Sequence, residues 1–227
     1  MSLSTIRRQI IGCERCPRLR AYCTRVAREK KAAHRDEVYW GRPVPGFGDP
    51  HARLLIVGLA PAAHGANRTG RVFTGDGSAD FLMGALCRAG FANIPTSRHA
   101  HDGLRLADAF IAAAVRCAPP GNKPTPREIA ACRPWLAAEM DGLKNVRVMV
   151  ALGRIAFAAC LGLLSRRGAT IRPRPAFGHG RRYQAGSGLP TLLASYHPSR
   201  QNTNTGKLTA GMLDAVFDEA RGILSEQ

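Results

Sequence analysis

Cysteines are the first side chains in this 227-residue sequence with chemistry in their spacing. Cys13-Glu14-Arg15-Cys16 is a Cys-x-x-Cys pair near the N-terminus, and Cys117 and Cys132 stand far downstream. The odd total of seven, and an N-terminus with two arginines but no apolar signal-like run, argue against a disulfide framework. Reduced thiols in a cytoplasmic setting are free to bind metal. Cys23, Cys87 and Cys160 have mostly apolar neighbours and read as small buried hydrophobes. A second group spans residues 58–76: a long glycine-containing loop, then Phe73-Thr74-Gly75-Asp76. Backbone amides in such a loop can hold an anion or carbonyl oxygen. An aromatic face at Phe73 can stack on a planar base while Asp76 acts on a neighbouring bond or water. The loop fits neither the dinucleotide fingerprint nor the Walker pattern. A third group is His197-Pro198-Ser199 and the polar stretch to Lys207, a histidine placed where a strand gives way to a loop and helix.

The elements that must position these groups are legible as apolar runs. Residues 54–58, 110–115, 146–152 and 191–195 read as buried strands of a parallel sheet, each bounded by Gly, Pro or polar residues. Helices are expected over 78–89 with Ser78 as N-cap, 127–140 after Thr125-Pro126, 154–163 and 207–224. Alternating strands and helices predict a three-layer α/β/α fold on a central, mainly parallel, four-stranded sheet. The chain reads as one domain, 1–227, with 1–50 as an N-terminal extension of it. Ligands of such sheets bind outside the carboxyl ends of the strands, where both polar loops fall. The runs 28–35 and 166–182 read as a basic helix face or loop and an irregular basic excursion.

Composition narrows the partner. Lys and Arg number 33 against 16 Asp and Glu, a formal charge of +17. Such a surplus calls for a polyanion, and nucleic acid comes first because neutralising phosphates releases counterions. No apolar run is long enough to span a membrane, and no membrane partner is expected. A nucleophile elbow is also absent, which disfavours an acyl hydrolase.

Taken together, these residues resemble a known family. Gly58-Leu59-Ala60-Pro61-Ala62, Asn67-Arg68-Thr69-Gly70-Arg71 and Thr74-Gly75-Asp76 are similar to motif A of the family 5 uracil-DNA glycosylases. His197-Pro198-Ser199, with Asn202, Thr205-Gly206 and Leu208-Thr209, resembles their motif B. Arg116-Cys117-Ala118-Pro119-Pro120, Asn122 to Pro126 and Cys132-Arg133-Pro134-Trp135 extend the likeness over nearly the whole chain. Family 4 enzymes carry a carboxylate in the first tight loop, where this chain has Leu59 and Ala60.

The resemblance implies a base-excision-repair enzyme that flips uracil, and other deaminated bases such as hypoxanthine and xanthine, out of DNA. It would hydrolyse the N-glycosidic bond and leave an abasic site without strand cleavage. Asp76 and His197 would be catalytic; Gly58, Ala60, Phe73 and Asn122 would hold the base. Arg68, Arg71, Ser199, Arg200, Gln201 and Asn202 would meet DNA, with 199–205 as the insertion loop. Cys13, Cys16, Cys117 and Cys132 would ligate a [4Fe–4S] cluster, with zinc as the alternative occupant that spacing alone leaves open. A cytoplasmic, nucleoid-associated monomer acting on uracil-containing DNA is expected. The alternative is a non-catalytic nucleic-acid-binding module with a structural metal.

Overall fold

The computed structural model describes residues 1–173 and 175–226. Arg174, within the basic excursion, and Gln227, the last residue of the expected domain, lie outside the described residues.

The four long apolar runs form the centre of the sheet: β2 (Leu54–Gly58), β3 (Ala109–Ala113), β4 (Val148–Leu152) and β6 (Thr191–Ser195), all parallel. Nearly every residue in them is buried, because helices cover both faces and no face is left for polar side chains. Alternate residues serve opposite sides. Leu54, Ile56, Ile111, Val150 and Leu193 join α4 (Gly77–Arg88) and α8 (Ala210–Ser225) in one core. Leu55, Val57, Phe110, Met149 and Leu192 join α5 (Pro126–Gly142) and α6 (Arg154–Ser165) in the other.

The sheet has six strands rather than the expected four, in the order β1-β3-β2-β4-β6-β5. The two additional strands, β1 (Phe47–Gly48) and β5 (Arg181–Tyr183), are antiparallel edges. β1 is half-buried and β5 is exposed over two of its three residues, so neither shows an apolar run. β5 also gives part of the 166–182 excursion a regular structure.

Two helix starts depart from expectation. The N-cap of α4 is Asp76 rather than Ser78: its Oδ1 accepts from Ser78 N at 2.9 Å and Ala79 N at 3.0 Å. The expected helix 207–224 begins only at Ala210, because Thr209 is extended at φ −94° and ψ 165° and caps it by accepting from Met212 N. The stretch before it holds a separate short helix, α7 (Arg200–Asn204), where a loop was expected. Thr125 caps α5 through a reciprocal capping box with Glu128. Two further helices, α1 (Leu3–Ile11) and α2 (Pro17–Glu29), precede the sheet. A Cβ on Gly142 of α5 would meet Leu3 Cδ2 at 2.8 Å, so this glycine lets α1 lie close. A four-residue helix, α3 (Ala66–Thr69), interrupts the loop after β2. No helix among the described residues is long and apolar enough to cross a membrane.

Candidate active site

A cavity of about 380 Å³ opens at the carboxyl edge of the sheet. Phe73, Asp76, Asn122 and His197 line it together, as do Ala60, Ser199 and Gln201. Residues from three separate loops thus meet where the sheet topology requires. Ala62 and Ala113 also line the cavity, whereas Ala114 turns into a neighbouring recess between α5 and α6.

Asp76 is held by one oxygen, and among the described residues no hydrogen bond reaches the other. Oδ1 takes the two amides that open α4, so the carboxylate cannot rotate. Oδ2 lies against Gly65: a Cβ there would stand 2.2 Å from it. Burial raises the Asp76 pKa above its ordinary value, and the two amides and the Arg200 charge work in the opposite sense. A buried carboxylate with one committed oxygen is suited to hold a water or face a developing cation.

His197 follows β6 and stacks on Phe73, with ring centroids 5.7 Å apart and 28° between planes. Burial pushes its pKa down to about 4, so the ring is neutral at physiological pH. Phe73 takes a left-handed φ of 46°, a costly conformation for an aromatic residue. Gly58 explains how the ring fits: a Cβ there would fall 2.6 Å from Phe73 Cε2. Gly58, expected to hold the base, is not among the residues lining the cavity and instead makes room for the Phe73 ring. Asn122 also has a positive φ of 57°, at the end of the short turn 120–122.

Gly65 and Gly153 are positions whose importance sequence reasoning missed. Gly153, at a φ of 94° after β4, would bring a Cβ within 3.3 Å of His197 Cβ. Gly65 stood within the motif A stretch, but only the fold brings it against the carboxylate.

Three of the residues expected on DNA face inward. Arg68 is buried, with Nε donating to His64 O at 2.8 Å, Nη2 to Gly75 O at 3.0 Å, and Nη1 paired with Glu37. Arg71 is buried too, donating to Asp102 at 2.7 Å, Ser97 Oγ at 2.9 Å and Thr74 Oγ1 at 2.9 Å. Both guanidinium groups hold the loop through these charge-assisted bonds. Asn202 is half-buried and donates from Nδ2 to His197 O at 2.8 Å, fixing the histidine backbone. Arg200 and Gln201 remain exposed beside the cavity mouth, and Ser199 caps α7 at the cavity edge. Arg200 crosses the N-terminus of α4, where a Cβ on Gly77 would stand 3.1 Å from its Nε.

Four of the cysteines gather in one patch, against which Ala60 of the cavity also packs. Cys16, Cys117 and Cys132 share an apolar patch with Leu19, Val115 and Trp135. Cys13 Sγ accepts from Trp135 Nε1 at 3.3 Å, and Cys132 Sγ accepts from Arg116 N at 3.5 Å. N–H groups directed at sulfur suit thiolate ligands. Two of the four sulfurs expected to ligate a cluster, those of Cys13 and Cys132, thus receive an N–H. Among the described residues, no group of three or more His, Cys, Asp or Glu side chains is arranged to hold a metal ion. Cys23 lies in the same patch with its Sγ donating to Ala118 O at 3.7 Å, and Cys160 is fully buried in the sheet core.

A cavity with a pinned carboxylate and a neutral imidazole, on this sheet, has the form of a site for N-glycosidic bond hydrolysis. The family model described as the uracil DNA glycosylase superfamily matches residues 45–221, and the chain belongs to that superfamily. It is a DNA glycosylase by class. A type-5 uracil-DNA glycosylase of Mycobacterium bovis is 52% identical over 221 residues, covering 97% of this chain and 81% of that protein. Another, from Thermus thermophilus, is 52% identical over 212 residues, covering 93% of this chain and 94% of that one. A type-4 uracil-DNA glycosylase of Pyrobaculum aerophilum is 32% identical over 168 residues, covering 74% and 68% respectively.

Proposed function

We propose that the protein excises uracil, and also hypoxanthine and xanthine, from DNA by hydrolysing the N-glycosidic bond. The observation that carries this reading is the convergence of Phe73, Asp76, Asn122 and His197 on one cavity. The target base must first leave the stack, at a cost of a few kcal/mol. Exposed Arg200 and Gln201 at the cavity mouth are placed to fill the vacated space, and the +17 charge supplies attraction to the duplex.

Once the base is in the cavity, Phe73 stacks on it and Asn122 reads its polar edge. Bond cleavage builds negative charge on the departing base and positive charge on the sugar. Neutral His197 donates a hydrogen bond to the base oxygen where that charge appears. Asp76, through Oδ2, holds the attacking water and faces the sugar cation. Such preorganised groups act most strongly in a site that excludes water. No lysine occupies a motif position suited to Schiff-base attack, so the product is an abasic site in an intact strand.

Small side chains explain the breadth. Ala60, Ala62 and Ala113 leave the cavity about 380 Å³, room for a purine as well as a pyrimidine. The test is direct: incubate the protein with matched duplexes carrying uracil, hypoxanthine or xanthine, then cleave abasic sites with alkali. Release of all three bases, uracil fastest, is expected. Strict uracil specificity would overturn the broad reading, and no release from any duplex would overturn the catalytic one.

Cys13, Cys16, Cys117 and Cys132 would hold a [4Fe–4S] cluster, whose role is to tie the N-terminal helices to α5 and the loop after β3. Purified protein should then be brown, with broad absorption near about 400 nm. Cys132→Ser should remove the colour and lower the melting temperature, whereas Cys160→Ala should leave the colour intact. Colourless, active protein with stoichiometric zinc would reject the cluster. The whole chain, 1–227 with 1–50 as extension, is proposed to act as one monomeric domain in the cytoplasm.

A further inference from the structure

His179 lies outside the cavity, in the turn that leads into β5, and no motif singles it out. Its Nδ1 accepts the backbone N–H of Tyr196 at 3.2 Å and stands 3.4 Å from Ser195 Oγ. The ring stacks on Tyr196 with centroids 5.1 Å apart and 23° between planes. The backbone of Met212, on α8, also lies close to this imidazole. His179 thus spans β5, the exit of β6 and the last helix.

Its position relative to His197 matters. Leu152 and Ser195 form the last rung between β4 and β6, so Tyr196 lies one residue beyond the ladder. From that point the sheet no longer fixes the backbone, yet His197 is the next residue. Asn202 Nδ2 holds the His197 carbonyl at 2.8 Å on the downstream side. Gly153 sits against the His197 Cβ and donates its N–H to Ser195 O at 2.8 Å. Ser195 Oγ donates to the Tyr196 carbonyl at 3.0 Å, and His179 holds the N–H of the same residue, on the peptide before it.

We infer that His179 is a positioning residue for base excision: as a neutral imidazole it accepts the Tyr196 N–H and fixes the peptide that aims His197 into the cavity. Only an unprotonated Nδ1 can accept. Burial lowers the His179 pKa and outweighs the Met212 backbone contact, which acts in the opposite sense. The inference rests on the reading of His197 given above.

Three variants separate the possibilities. His179→Phe keeps a stacking ring and removes the acceptor; His179→Asn returns an acceptor oxygen near the Nδ1 position; His197→Ala tests the underlying reading. At saturating enzyme, H179F is expected to release uracil about tenfold more slowly, since small misplacements of a reacting group are costly. Its duplex affinity should be unchanged, and H179N should recover most of the rate. The His197 ring resonances should shift in H179F and return in H179N, which loss of packing alone would not produce. Wild-type rates and unshifted His197 resonances in H179F would overturn the inference. A wild-type rate in H197A would instead overturn the role of His197, whatever H179F does. If Phe prevents folding, His179→Leu takes its place in the same comparison, with the same two outcomes.

Discussion

Asp76→Asn and His197→Ala should each slow single-turnover release of uracil by roughly a hundredfold or more, the usual cost of one preorganised group, about 3 kcal/mol. Duplex affinity should change little, because both groups act on charge that exists only in the transition state. Asn retains the capping oxygen of Asp76, so the D76N protein should melt close to wild type. The pH profile carries the same argument. Asp76 must be ionised, and burial has raised its pKa, so the rate falls as pH drops through that value. His197 must be neutral, and with its pKa pushed down to about 4 it too is lost only on the acid side. Wild type should therefore show an acid limb and no break near pH 6.5, where an ordinary imidazole titrates. A rate that falls as pH rises through 6.5 would mean that a cationic His197 does the work. Near-wild-type rates in both variants would mean that the active site lies elsewhere.

Gly65→Ala should be almost as damaging as loss of the carboxylate, although it removes no functional group. The new methyl would need to occupy a point 2.2 Å from Asp76 Oδ2 and 3.2 Å from Ala62 Cβ. Something must move by about 1 Å, and a shift of that size at a reacting group can cost about a hundredfold. Oδ1 is tied to two amides, so the displacement falls on Oδ2, the oxygen that lies against Gly65. Gly211→Ala is the control: its Cβ meets nothing within 4 Å, and it lies on α8. That variant should retain the full rate and gain about 0.5–1 kcal/mol in stability, as helical glycines do on replacement by alanine. A G65A protein that folds and keeps the wild-type rate would show that Oδ2 is not the working oxygen.

The parts of the fold readable in the sequence were those whose physics is local. The strands at 54–58 and 191–195 match in both bounds, because a strand buried on both faces must be apolar throughout. β1 and β5 escaped notice for the converse reason: edge strands of two and three residues need only half a face of apolar contact. Helix α7 escaped because Ser199 to Thr205 offers polar side chains that suit a loop as well as a capped turn. The candidate site was legible as motifs, and all four of Phe73, Asp76, Asn122 and His197 reach one cavity. What a motif cannot convey is which way a side chain points. Arg68 and Arg71 look like phosphate ligands in sequence, yet each is paired with a carboxylate 31 positions away. Asn202 faces back to the histidine five residues before it. His179 belongs to no motif, and its contact with Tyr196 exists only once β5 has turned back along β6.

Active-site residues often weaken a fold, since their geometry serves chemistry first. Asp76, in the catalytic role proposed for it, would depart from that pattern, because one of its oxygens caps a twelve-residue helix. The usual exchange of activity for robustness is thereby reversed at this position. A lineage drifting away from catalysis could accept Asn here and keep its helix, but Ala would cost it both the reaction and the cap. Inactive descendants of such a protein should therefore carry Asn, Ser or Thr at this position more often than an apolar residue. Helix capping would then preserve a vestige of the catalytic carboxylate after its chemistry had gone.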